Sequence, residues 1–188
     1  MIGKISLLKC YDKITMLNES MIEIRYERSD DIDEIRSLND KAFGQTMEGR
    51  IVDKLRKSCK GILSLVAISN NKVIGHILFS PVTIETQRGI IEGMGLGPMA
   101  VLPELQNQGI GTKLVKEGLR IINNTICPFV IVLGHEKYYP RFGFQRASKY
   151  GLTSQWEGVP DEAFMAMILN DSVMKGVSGI VRYRDEFD

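Results

Sequence analysis

Hydrophobic and polar side chains first alternate regularly just after residue 20. Residues 22–27 alternate between apolar and charged side chains, which is the two-residue period of a half-buried β-strand. Beyond Asp30, which can cap a helix, apolar residues recur at helical spacing as far as Phe43. A second amphipathic helix is predicted from about 46 to 58. The regular part of the chain therefore begins with one strand and two helices.

A β-hairpin is the next element that the pattern predicts. Residues 63–69 are rich in apolar and β-branched side chains and favour a strand. The two asparagines at 70–71 favour a tight turn, and residues 72–84 predict the returning strand. A further strand should end at residues 98–101.

The second half of the chain combines helical and strand patterns. From Gln108 onward, apolar residues have a helical period as far as Ile122. Residues 129–133 form a continuous apolar run, as expected of a strand that is buried on both faces. Two more strands are predicted at 164–169 and 179–183. The order β-α-α-β-β-β-α-β, followed by a short helix and more strands, predicts a mixed α/β (α+β) sheet.

One domain is predicted for residues 21–188, because no repeat or low-complexity linker interrupts them. Residues 1–20 are interpreted as an N-terminal extension. Lys4, Lys9 and Lys13 break every apolar stretch there and leave no core for a signal peptide. No apolar run in the sequence approaches the ~18–20 residues of a membrane span. A soluble, cytoplasmic protein with no membrane partner is therefore expected.

Composition narrows the class of partner. Of the 188 residues, 44% are hydrophobic, which is enough for a core and excludes a disordered chain. The 24 basic and 23 acidic residues give a net charge of +1 without a basic block, which argues against nucleic acid. Cys10, Cys59 and Cys127 are too far apart for a zinc or disulfide framework, and His76 and His135 are too few for most metal sites. No metal is expected.

Two glycine-rich segments could approach a phosphate group. Residues 93–100 contain the GxGxxA pattern of dinucleotide-binding loops, but Pro98 and the strand pattern after it exclude the required helix. This segment is interpreted as flexible backbone at the entrance of a strand. Residues 106–113 have the right context, since a strand and a short loop precede the glycines and an amphipathic helix follows them. The unpaired amides at such a helix start can bind an anion.

Two motifs together resemble those of the GNAT superfamily of N-acetyltransferases. The first is a strand followed by Gln106-x-x-Gly109-x-Gly111, after the hairpin. The second is the run Tyr-Tyr-Pro-Arg-Phe-Gly-Phe at residues 138–144, about thirty residues later. The resemblance covers about residues 22–183. It implies a mostly antiparallel central sheet flanked by helices, in which the fourth and fifth strands splay apart.

The resemblance also implies a binding site for acetyl-CoA. The fourth strand would pair through its backbone with the pantetheine amides, and a backbone N–H there would polarise the thioester carbonyl. The loop amides would bind the pyrophosphate, whereas the side chain of Gln106 could do no more than brace the loop. The cofactor-binding residues expected on this basis are Met99, Ala100, Val101, Gln106, Asn107, Gln108, Gly109, Ile110, Gly111 and Thr112.

Tyr139 is the catalytic residue that the resemblance implies. It lies four residues before Gly143, where the family commonly places its general acid. A phenol with the ordinary pKa of about 10 can protonate a departing thiolate at neutral pH. Pro140 should bias Tyr139 toward an extended backbone, which leaves Tyr138 or water as alternatives.

The sequence does not single out a general base. An amine with a pKa of about 10 is mostly protonated at pH 7, so a proton must leave before the amine attacks. Residues 129–133 are all apolar, and the nearest upstream acid on the fourth strand is Glu92. His76 on the returning strand is a second candidate, although a histidine there is also typical of a core. Water is the third.

These observations predict an acetyl-CoA-dependent N-acetyltransferase that transfers the acetyl group directly to an amine acceptor. No serine–histidine pair or placed cysteine suggests an acyl-enzyme. The alternative is a non-catalytic acyl-CoA-binding sensor of the same fold, because the phosphate loop would be the same in both. The near-neutral composition indicates neither the acceptor, which could be a small molecule or a protein amine, nor the oligomeric state.

Overall fold

The computed structural model describes residues 22–86 and 89–188, so the predicted N-terminal extension at residues 1–20 lies outside the described residues. The strands in these ranges are β1 (Glu23–Tyr26), β2 (Leu63–Ser69), β3 (Lys72–Thr86), β4 (Gly89–Val101), β5 (Phe129–Leu133), β6 (Gln145–Arg146), β7 (Leu152–Ser154), β8 (Phe164–Ile168) and β9 (Gly179–Arg182). The α-helices are α1 (Ile32–Phe43), α2 (Met47–Ser58), α3 (Ile110–Asn123) and α4 (Asp171–Met174).

The strands of the described residues form one mixed sheet. Its main path has the order β1-β2-β3-β4-β5-β8-β6, and β9 pairs with both β3 and β7. All neighbouring pairs are antiparallel except β4 with β5 and β7 with β9, which are parallel. The predicted fold class, a mostly antiparallel sheet with flanking helices, is therefore confirmed.

β3 is long enough to have two neighbours along one edge. Its first half pairs with β2, as far as Phe79 opposite Leu63. Further along, Thr83 and Ile84 pair with β9. This arrangement brings the C-terminal part of the chain, and Tyr183 in particular, to the centre of the sheet beside β4.

Helices cover both faces of the sheet. Val66 of β2 belongs to a buried cluster with Ile35 of α1 and Leu55 of α2. Its neighbour Leu65 belongs to a different cluster, with Leu114 of α3. Successive strand residues point to opposite faces, so α1 and α2 lie on one side of the sheet and α3 on the other. None of the helices in the described ranges is long and apolar enough to cross a membrane.

The sequence pattern had placed the glycines at 93–97 at the entrance of a strand. The structure does not place them there. They lie inside β4, which begins at Gly89, and β3 extends to Thr86 rather than to residue 84. A Cβ atom on Gly93 would lie 2.5 Å from the ring of Phe129. The expectation of a flexible entrance was wrong, because glycine is needed here for close packing of an aromatic ring against the strand.

Candidate active site

β4 and β5 separate at one end of the sheet. They pair at only three positions, the last being Leu96 opposite Val132. The stretch of β4 from Leu96 to Met99 has one residue more than the facing stretch of β3, which is a β-bulge at Gly97-Pro98. A bulge bends its strand, so β4 turns away from β5 beyond Leu96. The predicted splay between the fourth and fifth strands is confirmed.

A cleft of about 710 Å³ lies where the strands separate. The end of α1 and the start of α2 form one wall, and the bulged part of β4 forms another. The loop that follows β5 contributes residues up to Arg141, including Tyr139. Three aromatic side chains from the C-terminal part of the chain, Trp156, Tyr183 and Phe187, complete the lining.

A second groove of about 460 Å³ adjoins this cleft. It is lined by most of the residues that the motif predicted for the cofactor: Met99, Val101, Gln106, Asn107, Gly109, Ile110, Gly111 and Thr112. The groove and the cleft share four lining residues, which are Met99, Asn107, Tyr138 and Arg141. They therefore form one continuous path from the start of α3 to the splayed strands.

The loop before α3 has a backbone that leaves the helix start open. Asn107 and Gly109 both have positive φ angles, 60° and 84°, and Gly109 is the N-cap of α3. No side chain caps this helix, so the first N–H groups stay available to an anion. The Nε2 atom of Gln106 donates a hydrogen bond to the carbonyl of Val101 at 3.2 Å. Its side chain therefore braces the loop.

A hydroxyl group and a guanidinium group lie beside this helix start. A Cβ atom on Gly111 would lie 2.8 Å from the Oη atom of Tyr138, which is buried and has no hydrogen-bond partner among the described residues. Arg141 stacks on the Tyr138 ring at 4.2 Å and donates from Nη2 to Oγ1 of Thr112 at 3.3 Å. Sequence reasoning missed Arg141, although its position inside the second motif was a usable signal.

Two of the expected cofactor residues direct their side chains elsewhere. Ala100 is 3% exposed and lies opposite His76 in the β3–β4 ladder. Gln108 is exposed, and its Nε2 atom donates to the carbonyl of Glu104 at 3.3 Å. Neither residue lines the groove or the cleft. A role for Ala100 is thus limited to its backbone.

Pro140 had suggested an extended backbone at Tyr139. The structure instead gives this residue a helical backbone. It begins a 3-10 helix that spans Tyr139–Phe142, with Pro140 in its first turn. Proline fits there because the first positions of such a helix need no donated N–H. The helix ends at Gly143, whose N–H donates to the carbonyl of Pro140 at 3.0 Å and whose φ is 100°.

The Tyr139 side chain is almost enclosed where it lines the cleft. It is 7% exposed, and its ring packs edge-on against Phe144 and against Tyr138, with centroids 5.8 Å and 5.0 Å away. The ring lies so close to the backbone of Gly134 that a Cβ atom there would overlap it. Burial raises the pKa of the Tyr139 phenol well above its usual value of 10, so this group stays protonated at neutral pH.

Neither of the two side chains considered as general base lines the cleft. His76 is fully buried, with its ring nitrogens 3.3 Å from Asn39 Nδ2 and 2.9 Å from Ser64 Oγ. Burial lowers the pKa of His76 to about 4. Glu92 is exposed on β4, away from both cavities. His76 is therefore a satisfied core histidine.

The cleft instead contains a carboxylate that sequence reasoning did not single out. Glu48, in the first turn of α2, is the acidic residue among the described residues that line it. An acid at the start of a helix is common, so the sequence alone carried no signal for it. Within 22–86 and 89–188, no group of three or more His, Cys, Asp or Glu side chains is arranged to hold a metal ion.

Comparison with known proteins agrees with this geometry. A family model described as an acetyltransferase (GNAT) domain matches residues 23–147, a range that includes the splayed strands, the groove and Tyr139. A protein of Escherichia coli (strain K12) named "Uncharacterized N-acetyltransferase YhbS" is 34% identical over 166 residues, which cover 88% of this chain and 98% of that protein.

Two solved structures have the same fold. The crystal structure of YhbS from Escherichia coli in complex with CoA has a TM-score of 0.81 and 34% identity, and the match covers 89% of this chain and 92% of that one. A GNAT family acetyltransferase from Brucella melitensis, in complex with acetyl-CoA, has a TM-score of 0.73 and 35% identity, with 89% and 98% covered. With its splayed strands, its open helix start and these similarities, the chain belongs to the GNAT family of acetyltransferases.

Proposed function

We propose that this protein is an acetyl-CoA-dependent N-acetyltransferase that transfers an acetyl group directly to an amine. The proposal depends mainly on one observation, the continuous path from the open start of α3 to a cleft lined by a buried, protonated Tyr139. The path has an anion-binding end and an apolar end. A molecule with a pyrophosphate and a thioester fits that polarity.

Acetyl-CoA supplies the acetyl thioester in this reaction, and its thiol is the leaving group. Similarity to proteins crystallised with CoA or acetyl-CoA supports this co-substrate. The residues at the start of α3 also fit it. The buried hydroxyl of Tyr138, which has no partner in the described part of the chain, would gain a hydrogen-bond partner when a phosphate oxygen is bound nearby.

The start of α3 would hold the pyrophosphate. The N–H groups of Ile110, Gly111 and Thr112 have no acceptor within the helix and lie at the positive end of its dipole. The guanidinium of Arg141 lines the same groove and adds a full positive charge. We therefore assign Arg141, as well as the loop amides, to cofactor binding.

The separated edge of β4 would hold the pantetheine arm. Beyond Leu96, β4 has no strand partner on its β5 side within the described residues. Backbone N–H and C=O groups on such an edge can pair with amides of an extended ligand, as one strand pairs with another. Met99, Ala100 and Val101 lie on this stretch, and an N–H here is suited to polarise the thioester carbonyl.

Tyr139 would act as the general acid. Because its pKa is raised, the phenol carries its proton throughout the range around pH 7. The phenol is placed to protonate the thiolate as the C–S bond breaks, because a free thiolate in this enclosed cleft is unfavourable. Transfer directly to the amine fits the lining, because none of the described residues that line the cleft is a serine or a cysteine.

The proposed function is tested by incubating the protein with acetyl-CoA and a panel of amines. The panel should contain aromatic, aliphatic, polyamine and peptide acceptors. Amine-dependent release of free thiol, with the acetylated amine identified by mass spectrometry, is the expected result. Tight binding of acetyl-CoA without product from any amine would contradict the proposal and favour the sensor alternative.

A further inference from the structure

One wall of the cleft carries a carboxylate that the proposed mechanism leaves unused. The Oε1 atom of Glu48 accepts a hydrogen bond from Nε2 of Gln45 at 2.9 Å. Its Oε2 atom is buried and has no hydrogen-bond partner in the described part of the chain. A buried carboxylate oxygen without a partner is unfavourable, so a ligand that donates a hydrogen bond to it would be stabilised.

Charge is distributed unevenly around the cleft. Glu48 lies on the α2 wall, whereas the basic residues of the lining, Lys137 and Arg141, come from the loop after β5. Arg141 also lines the groove at the start of α3. The basic side therefore faces the path assigned to the anionic cofactor, and the acidic side is left for a different, cationic molecule.

The surroundings of Glu48 are apolar and aromatic. Phe43 and Ile51, from α1 and α2, line the same wall. From the C-terminal part of the chain, the Tyr183 ring packs between Trp156 and Phe187, with centroids 5.0 Å and 5.2 Å away. Aromatic faces bind both apolar groups and cations.

Two features suggest that Phe43 and the aromatic wall, which is formed by Trp156, Tyr183 and Phe187, serve the acceptor. Phe43 is 41% exposed, which leaves part of a large apolar side chain uncovered at the cleft. The three aromatic residues of the C-terminal part, Trp156, Tyr183 and Phe187, lie beyond residue 147, where the match to the family model ends. These three residues therefore lie outside the segment that the family model describes, as expected of a part that selects the acceptor.

We propose, on the basis of the function proposed above, that the acceptor is a primary amine on an apolar, aromatic body, and that Glu48 binds its ammonium group and takes its proton. The amine arrives as R–NH3+ and pairs with the carboxylate. Within this pair the proton passes from the nitrogen to the carboxylate, so one N–H bond breaks and one O–H bond forms. The nitrogen lone pair is then free to attack.

The remaining protons also balance. Tyr139 gives its proton to the departing thiolate, and the second proton that the nitrogen loses on amide formation restores the phenol. The proton on Glu48 returns to water after the product leaves. Each turnover therefore converts an ammonium ion and acetyl-CoA into an amide, CoA and one released proton.

The test compares Glu48→Gln with the native protein on a matched set of ligands. The amines are 2-phenylethylamine and ethanolamine, and 2-phenylethanol serves as a neutral analogue. We expect native kcat/KM to be at least about tenfold higher for 2-phenylethylamine than for ethanolamine. Glu48→Gln should lower this value at least about thirtyfold, while the affinity for acetyl-CoA is unchanged.

Calorimetry on the CoA-bound protein supplies a readout that does not depend on turnover. Glu48→Gln should weaken binding of 2-phenylethylamine at least about tenfold and leave binding of 2-phenylethanol unchanged. Glu48→Asp, which keeps the charge on a shorter side chain, should lose less than Glu48→Gln. Glu23→Gln, which removes an exposed carboxylate on β1, is the matched control and should behave as the native protein does.

Failure of the inference and failure of the proposed function have different signatures. If the native protein acetylates amines but Glu48→Gln matches it in kcat/KM and in amine binding, the inference is overturned and the function stands. A native preference for ethanolamine would overturn it as well. If no amine is acetylated, the proposed function fails, and calorimetry still decides whether Glu48 and the aromatic wall bind a cationic amine.

Discussion

At the residue scale, the phenols around the cleft are positioned by glycines. The ring of Tyr139 lies against Gly134, and a Cβ atom on Gly95 would lie 2.7 Å from the ring of Tyr183. The third case is the Tyr138 hydroxyl beside Gly111 at the start of α3. Because each glycine lacks a side chain, each tyrosine can approach the backbone closely, so these glycines fix where the hydroxyl groups lie.

Gly111→Ala is expected to weaken acetyl-CoA binding at least tenfold, or by about 1.4 kcal/mol. The new Cβ atom would lie 2.8 Å from the Tyr138 Oη atom, so the tyrosine must move at the proposed pyrophosphate site. Isothermal titration calorimetry on the folded variant measures the change.

A double-mutant cycle shows whether the clash is the cause. Tyr138→Phe removes the atom that the Cβ would meet, so Gly111→Ala should cost less in the Tyr138→Phe background than in the native one. An affinity for acetyl-CoA that is the same in Gly111→Ala and the native protein would show that this helix start does not hold the cofactor.

Some site residues could be predicted from sequence because a short contiguous motif contains them. Others could not, because they are far apart along the chain. The groove residues from Gln106 to Thr112 could be predicted, because a short motif at a helix start sets their backbone conformation. Glu48 and Tyr183 could not be assigned to the site from sequence, because they reach it only through packing between distant elements, whereas Arg141 lies inside the second motif and was overlooked. The chemistry of an isolated side chain does not reveal such neighbours.

At the scale of elements, a buried polar network joins α1 to two strands. His76 on β3 lies within hydrogen-bond distance of Asn39 on α1 and of Ser64 on β2, and Glu27 is 3.9 Å from its Nε2 atom. Glu27 is in turn paired with Arg56 of α2. The network therefore ties both helices of one face to the sheet, with a neutral histidine at its centre.

This network predicts an acid-dependent loss of stability. The pKa of His76 is about 4 in the folded protein, against about 6.5 for an unfolded histidine. The unfolded chain thus binds the proton more readily, so stability is lost as the pH falls from 6.5 to 4. The expected loss from this residue is about 3 kcal/mol, measured by urea unfolding at several pH values.

His76→Gln provides the control, since it keeps a hydrogen-bonding side chain that does not titrate. Carboxylates also contribute at low pH, because Arg25 holds the pKa of Asp31 below its usual range. The readout is therefore the difference in pH dependence between the native protein and the variant. Parallel stability curves from pH 6.5 to 4 would contradict the assignment of a neutral, buried His76.

The elements that were predicted well are those with a long periodic pattern. α1, α2, α3 and the β2–β3 hairpin follow helical or alternating spacing over many residues. β6 and β7 have only two and three residues, which is too short for any period to be visible. The 3-10 helix at Tyr139 was missed because the restriction imposed by a following proline was outweighed by packing of the tyrosine in the core.

At the scale of the whole molecule, the groove and the aromatic wall come from different parts of the chain. The groove at α3 and the β4 edge lie within residues 23–147, the range of the family model. The aromatic wall comes from residues 156–187 and reaches the cleft because β9 joins the edge of β3. On the acceptor site proposed above, substitutions in this C-terminal wall would change acceptor choice without altering the cofactor path.

A protein shortened to begin at Met21 is expected to keep its melting temperature and its affinity for acetyl-CoA. β1 starts at Glu23 and pairs along its length with β2, so the edge of the sheet is formed from residues after the cut. Thermal unfolding and calorimetry compare the shortened and full chains. A lower melting temperature or affinity would show that residues 1–20 take part in the domain.

The central claim is that this cleft performs acetyl transfer with Tyr139 as the proton donor to the thiolate. Tyr139→Phe tests it most directly, because the ring keeps its packing against Phe144 and only the hydroxyl is lost. The measurement is the kcat of amine-dependent thiol release, made together with the Kd of acetyl-CoA on the same two proteins.

We expect kcat to fall by about 10²–10⁴-fold in Tyr139→Phe, which is the usual contribution of a positioned acid, while the Kd changes little. This combination identifies an interaction that acts in the transition state rather than in ground-state binding. Equal kcat values for the two proteins would contradict the account and move the proton donor to Tyr138 or to water.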